Sequence, residues 1–116
     1  MSEGHVEASC HCGAVHLQVD YAPREVTNCS CSICRRYGAL WAYYLPDHVR
    51  VSGGGTDVYM WDDRSIEFHR CLVCGCVTHW APVDQAMRRM GVNARLMAPD
   101  VLAGARVRHR DGAGTE

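Results

Sequence analysis

The sequence predicts an all-β fold of antiparallel strands, and three observations carry that expectation. Apolar and polar residues alternate with a period of two in many short runs, no segment carries a sustained helical stripe, and Gly and Pro punctuate the chain throughout. Val15, Leu17 and Val19 point one way while His16, Gln18 and Asp20 point the other, so this run reads as a half-buried strand. Residues 39–45 are rich in aromatics and stop at Pro46, as a strand ended by a turn does. A short strand over 48–52 leads into the loop Gly53-Gly54-Gly55. Residues 57–61 and 65–69 flank Asp62-Asp63-Arg64 in a hairpin-like arrangement. Further strands are expected at 77–80, 90–96 and 105–109, and 99–104 has room for one helical turn. The one stretch with some helical character is 82–89. The tail from Asp111 to Glu116 is small and polar, and is expected to fray.

A chain of 116 residues fits one domain, taken as 1–116 with its core at about 6–110. So small a core gains from cross-links, and the cysteines supply candidates. The formal net charge of -1 argues against bulk nucleic acid as a partner. All 12 basic residues are Arg. The first nine residues lack the basic start and apolar run of an export signal, and no stretch approaches a membrane span. A cytoplasmic, reducing location is therefore expected, where clustered cysteines favour metal ligation over disulfides. An even cysteine count in a short chain is also what secreted disulfide scaffolds show, but the two residues of a Cys-x-Cys pair bond each other poorly.

The eight cysteines fall into three clusters: Cys10 and Cys12; Cys29, Cys31 and Cys34; and Cys71, Cys74 and Cys76. Close pairs separated by long stretches bring thiolates from distant segments onto a metal, and zinc is the expected ion. Cys71-x-x-Cys74 followed by Gly75 has the form of half a zinc knuckle, in which a small residue lets backbone amides face the sulfurs. Cys10-x-Cys12 can supply the other half, giving four thiolates in a closed, structural site. The middle cluster offers three thiolates within six residues, the number a catalytic zinc usually takes from protein. Its fourth position would be open to water or substrate, and an exposed site of that kind loses metal and oxidises readily. Alternatively, Cys76 closes it as a fourth ligand and both sites are structural, or Cys76 is a small side chain packed in the core.

His11, His69 and His79 lie near cysteines, as ligands, proton carriers or packing residues. Trp41, Tyr43, Tyr44, Trp61 and Trp80 suit core packing better than a stacking platform. Arg35, Arg36 and Arg95 are candidate partners for a substrate carboxylate.

Cys-His-Cys-Gly-Ala-Val at 10–15, Asn28-Cys-Ser-Cys-Ser-Ile-Cys-Arg35 and Phe68-His-Arg-Cys-Leu-Val-Cys-Gly-Cys76 together resemble the glutathione-dependent formaldehyde-activating enzyme family, which includes centromere protein V. The resemblance covers nearly the whole chain and implies folded-over antiparallel sheets in a β-tent arrangement. It further implies a structural zinc on Cys10, Cys12, Cys71 and Cys74 and a catalytic zinc on Cys29, Cys31 and Cys34. The implied activity is that of a carbon–sulfur lyase, joining a glutathione-like thiol to an aldehyde as S-(hydroxymethyl)glutathione. Two other readings compete: a non-catalytic, zinc-stabilised binding module, and a redox-sensing site that releases metal on oxidation. The oligomeric state is left open.

Overall fold

In the computed structural model, which describes residues 5–61, 64–84 and 86–110, the period-two runs become strands in the order β1 (Val6–Ser9), β2 (Val15–Val19), β3 (Glu25–Cys29), β4 (Trp41–Tyr44) and β5 (Val49–Gly53), with helix α1 (Ser32–Tyr37) after β3. There follow β6 (Thr56–Tyr59), β7 (Ile66–Cys71), β8 (Val77–Pro82), β9 (Met90–Asn93), helix α2 (Pro99–Ala103) and β10 (Arg106–Arg110). Among the described residues strand accounts for 48% and helix for 17%, so the chain is mostly β with short helical insertions.

Two sheets form: β1-β2-β5, and a larger one in the order β10-β3-β4-β9-β8-β7-β6. Among the described residues all strand pairs are antiparallel except β10 with β3, which is parallel and makes the large sheet mixed rather than purely antiparallel as expected. Val15, Leu17 and Val19 of β2 meet Val26, Ala42, Tyr44 and Val92 of the large sheet in the main core. The opposite face of the large sheet holds a second cluster, in which Cys29, Cys31 and Cys34 lie among Trp41, Phe68 and Trp80.

The register explains which side chains share that outer face. Phe68 is opposite Trp80, His69 opposite His79, and Arg70 opposite Val77, with an irregularity between His69 and Arg70. Thr78 is the extra residue of a β-bulge, so Val77 and Trp80 reach the same face although three residues apart. Gly91 of the neighbouring strand has no side chain, and a Cβ there would collide with the Trp80 indole.

Several sequence expectations need correction. The stretch 82–89 is not helical in its described residues: Val83 N–H bonds Ser65 C=O, Met87 N–H bonds Asp84 C=O, and the Asp84 carboxylate takes the Ala86 N–H. That aspartate turn competes with a helix for the same amides. The run 90–96 is strand only to Asn93, whose side-chain oxygen accepts the Arg95 N–H and starts a 3-10 turn, Ala94–Leu96. β1, β3 and α1 were not expected, whereas the helical turn within 99–104 is present. Asp62 and Asp63 of the expected hairpin turn and the tail 111–116 lie outside the described residues, although the strands flanking that turn do pair.

Candidate metal centres

Two six-residue loops, 10–15 and 71–76, are built alike. The first N–H of each bonds the last carbonyl, Cys10 to Val15 at 3.1 Å and Cys71 to Cys76 at 2.9 Å. Gly13 and Gly75 then turn the chain at φ of 83° and 80°, a left-handed conformation that residues with a Cβ adopt at a cost. The turn aims amides at sulfur. Ala14 N–H donates to Cys12 Sγ at 3.4 Å, Val15 N–H to Cys10 Sγ at 3.3 Å and Val73 N–H to Cys71 Sγ at 3.3 Å. Cys74 Sγ takes the N–H groups of Cys76 and Cys12. Such donors favour the thiolate.

The ligand atoms of Cys10, Cys12, Cys71 and Cys74 all lie within 4.8 Å of one another. Sulfurs on a tetrahedral zinc stand about 3.8 Å apart, given Zn–S near 2.3 Å. The Cys10–Cys12 and Cys12–Cys71 sulfurs are 3.7 Å apart, so the donor set and spacing fit that ion.

The middle cluster forms differently. β3 ends at Cys29, and Cys31 caps α1, its Sγ accepting the Cys34 N–H at 3.4 Å in place of the usual oxygen. Cys31 and Cys34, three apart on a helical turn, thus share a side with Cys29, and the three ligand atoms lie within 4.8 Å of one another. Trp41 Nε1 donates to Cys34 Sγ at 3.3 Å. The cluster is not exposed as expected: Cys29, Cys31 and Cys34 are only 4–9% accessible because α1 and the aromatic residues cover them. Three soft sulfurs with N–H donors fit a zinc-type ion here too.

Without metal, each cluster shares protons among its thiols. Cys74 is held down at about 5 by the N–H groups of Cys76 and Cys12. Burial pushes Cys34 up to about 12 against the Trp41 donor, and the neighbouring Cys31 adds to the rise. Metal binding at either cluster would therefore release protons.

Cys76 belongs to neither ligand group. It sits half-buried beside Cys74, with its sulfur taking the His11 N–H, so the middle cluster keeps three sulfurs. His69 and His79 join no ligand group among the described residues; their rings stack at 4.3 Å, and each Nδ1 meets a threonine hydroxyl, of Thr56 and Thr78 respectively, at 2.8 Å. Burial drives His79 down to about 3, helped by its neighbour His69. Arg95 spends its Nε on Gly38 C=O at 2.6 Å, whereas Arg36 lines a cleft beside α1. Tyr37 and Tyr43, the latter under the Arg89 guanidinium at 4.0 Å, pack on the middle cluster, and burial raises both phenols. Neither Tyr37 nor Arg70, which also lines the cleft, was singled out from sequence, because only the sheet register shows which residues flank α1.

No helix among the described residues is long and apolar enough to cross a membrane. A protein from Rhodobacter sphaeroides of known crystal structure is similar, with 28% identity and a TM-score of 0.71 over 88% of this chain and 99% of that one. No protein of curated function matches in sequence. Residues 5–105 match the model of the glutathione-dependent formaldehyde-activating enzyme family, and with its three cysteine clusters drawn into two sulfur sites, the chain belongs to that family.

Proposed function

We propose that the chain is a zinc-dependent carbon–sulfur lyase of a reducing, cytoplasmic compartment, acting on the adduct of a glutathione-like thiol and formaldehyde. One observation carries the reading: the ligand group on the outer face has three sulfurs, whereas the group between the sheets has four. Cys10, Cys12, Cys71 and Cys74 would hold a structural zinc, and Cys29, Cys31 and Cys34 a catalytic one. When bound at the middle site, zinc supplies Lewis acidity that favours the thiolate form of a substrate thiol.

The chain's own residues do the rest. The Cys34 N–H and the Trp41 indole hold two sulfurs in place, and Phe68, Trp80 and Ile33 keep water from the cluster. The phenols of Tyr37 and Tyr43 are protonated at neutral pH like any tyrosine, and burial raises them further, so both are available as donors to a developing alkoxide. Bond formation joins the thiol sulfur to the carbonyl carbon, and the proton lost by the thiol ends on the oxygen; the lyase direction reverses both. No oxidant or reductant is needed.

Metal-edge absorption on the reduced, zinc-loaded protein tests this. The sulfur count per zinc should rise on adding glutathione, and NMR exchange between glutathione and its hydroxymethyl adduct should accelerate. Cys31→Ser should return that exchange to the uncatalysed rate. An unchanged sulfur count and exchange rate would favour a non-catalytic zinc module, a reading that the burial of the three thiols also suits.

A further inference from the structure

Between α1 and the β6–β7 hairpin lies a cleft of about 420 Å³, within the range of small-molecule sites. Arg36 and Tyr37 line it from the helix, Tyr59 and Arg70 from the hairpin, and Trp61 from just beyond β6. Among the described residues two cations line it, one of them, Arg70, paired with a carboxylate at its side. Tyr59 is 47% exposed, a large apolar surface left uncovered at this spot.

Among the described residues each guanidinium shows one short bond. Arg36 donates to Ser32 C=O at 2.8 Å, and Arg70 to the Asp57 carboxylate at 2.6 Å, opposite it in the β6–β7 register. A guanidinium has five N–H donors, so both keep others for a ligand. Tyr37 links cleft to cluster: it packs on the Cys29, Cys31 and Cys34 group and lies near both Arg70 and Cys34. A molecule whose charged end met the two arginines would thus lie beside Tyr37, which packs on the thiol cluster.

We propose that this cleft binds the carboxylates of an acidic thiol substrate, with Arg36 and Arg70 selecting charge and Tyr59 and Trp61 forming the apolar wall. The proposal deepens the thiol–aldehyde reading and rests on it for where the sulfur goes. It also distinguishes Arg36 from Arg35 and Arg95, the other arginines that sequence offered for the task.

S-methylglutathione separates the two ideas, because it keeps both carboxylates but has no free thiol to reach the metal. Calorimetry on the zinc-loaded protein should show it binding, and capping its carboxylates as esters should weaken it about tenfold or more, as should Arg36→Ala and Arg70→Gln, since charge-assisted hydrogen bonds have that worth. Arg50→Ala, on the small sheet, should bind like the unaltered protein. Retained zinc content and melting temperature verify that the variants fold. No binding to the unaltered protein, or equal binding by both cleft variants, overturns the cleft whatever the metal-edge result. Binding in the cleft with neither a change in sulfur count nor a faster exchange on adding glutathione upholds the cleft and sinks the lyase reading.

Discussion

Trp41 joins the aromatic packing to the thiol cluster in one side chain. It is 1% accessible, it fills the floor of the outer-face cluster, and its indole N–H reaches Cys34 Sγ. Trp41→Phe keeps most of the apolar contact and removes the donor. Loss of a hydrogen bond to a ligand typically costs about tenfold or more in metal affinity. Competition with a chromogenic chelator should show one of two zincs weakened by that order and the other unchanged. His79 makes a second, separable prediction. Its folded-state value near 3 lies below the ordinary 6.5, so the unfolded chain binds more protons between those values. The stability due to neutral His79 is fully present above about pH 6.5 and is lost as pH falls toward 3, at about 1.4 kcal/mol per unit. Urea melts at pH 7, 6 and 5 should lose stability faster for the natural protein than for His79→Gln. Parallel curves would contradict it.

Elements of different length left different traces in the sequence. β2 shows five alternating residues and is found where the alternation placed it, ending one residue short of Asp20, because a strand with one buried face must keep a strict period. α1 left no trace: six residues are too few for helical periodicity, and its cap is a cysteine that already had a reading as a ligand. β1 and β3 were missed for a related reason, since four or five residues with polar Glu7 and Asn28 among them resemble a loop. The bulge at Thr78 could not be read either, because an extra residue is defined by the partner strand it faces. Closeness within each cysteine pair, by contrast, followed from spacing, since Cys-x-Cys and Cys-x-x-Cys pairs stay close in any fold that keeps their local turns; which pairs meet is set by the sheets. What spacing left open was the place of Cys76, and the 71–76 loop decides it by turning that residue back toward His11.

Across the whole molecule the two sulfur groups occupy unequal positions. The four-sulfur group brings the loop between β1 and β2 of the small sheet to the loop between β7 and β8 of the large one, and Cys10 and Cys71 pack in the main core. The three-sulfur group belongs to the large sheet and its covering helix. Cys71→Ser should therefore lower the thermal midpoint far more than Cys31→Ser, as structural zinc contributes directly to folding free energy. Equal losses would mean that the outer cluster also holds the sheets together. The strand order β10-β3-β4-β9 was beyond the reach of pattern reading, because alternation says which face a residue takes and not which neighbour it pairs with.

The parallel seam of β10 on β3 has a consequence for biosynthesis. The Ser30 N–H, between two of the outer-face cysteines, bonds the carbonyl of Arg110, and Arg106 meets Glu25 across 81 positions of chain. A ribosome would therefore expose Cys29, Cys31 and Cys34 to the cell long before translating the strand that closes over their edge. During that interval the nascent polypeptide depends on its surroundings to keep three sulfurs reduced.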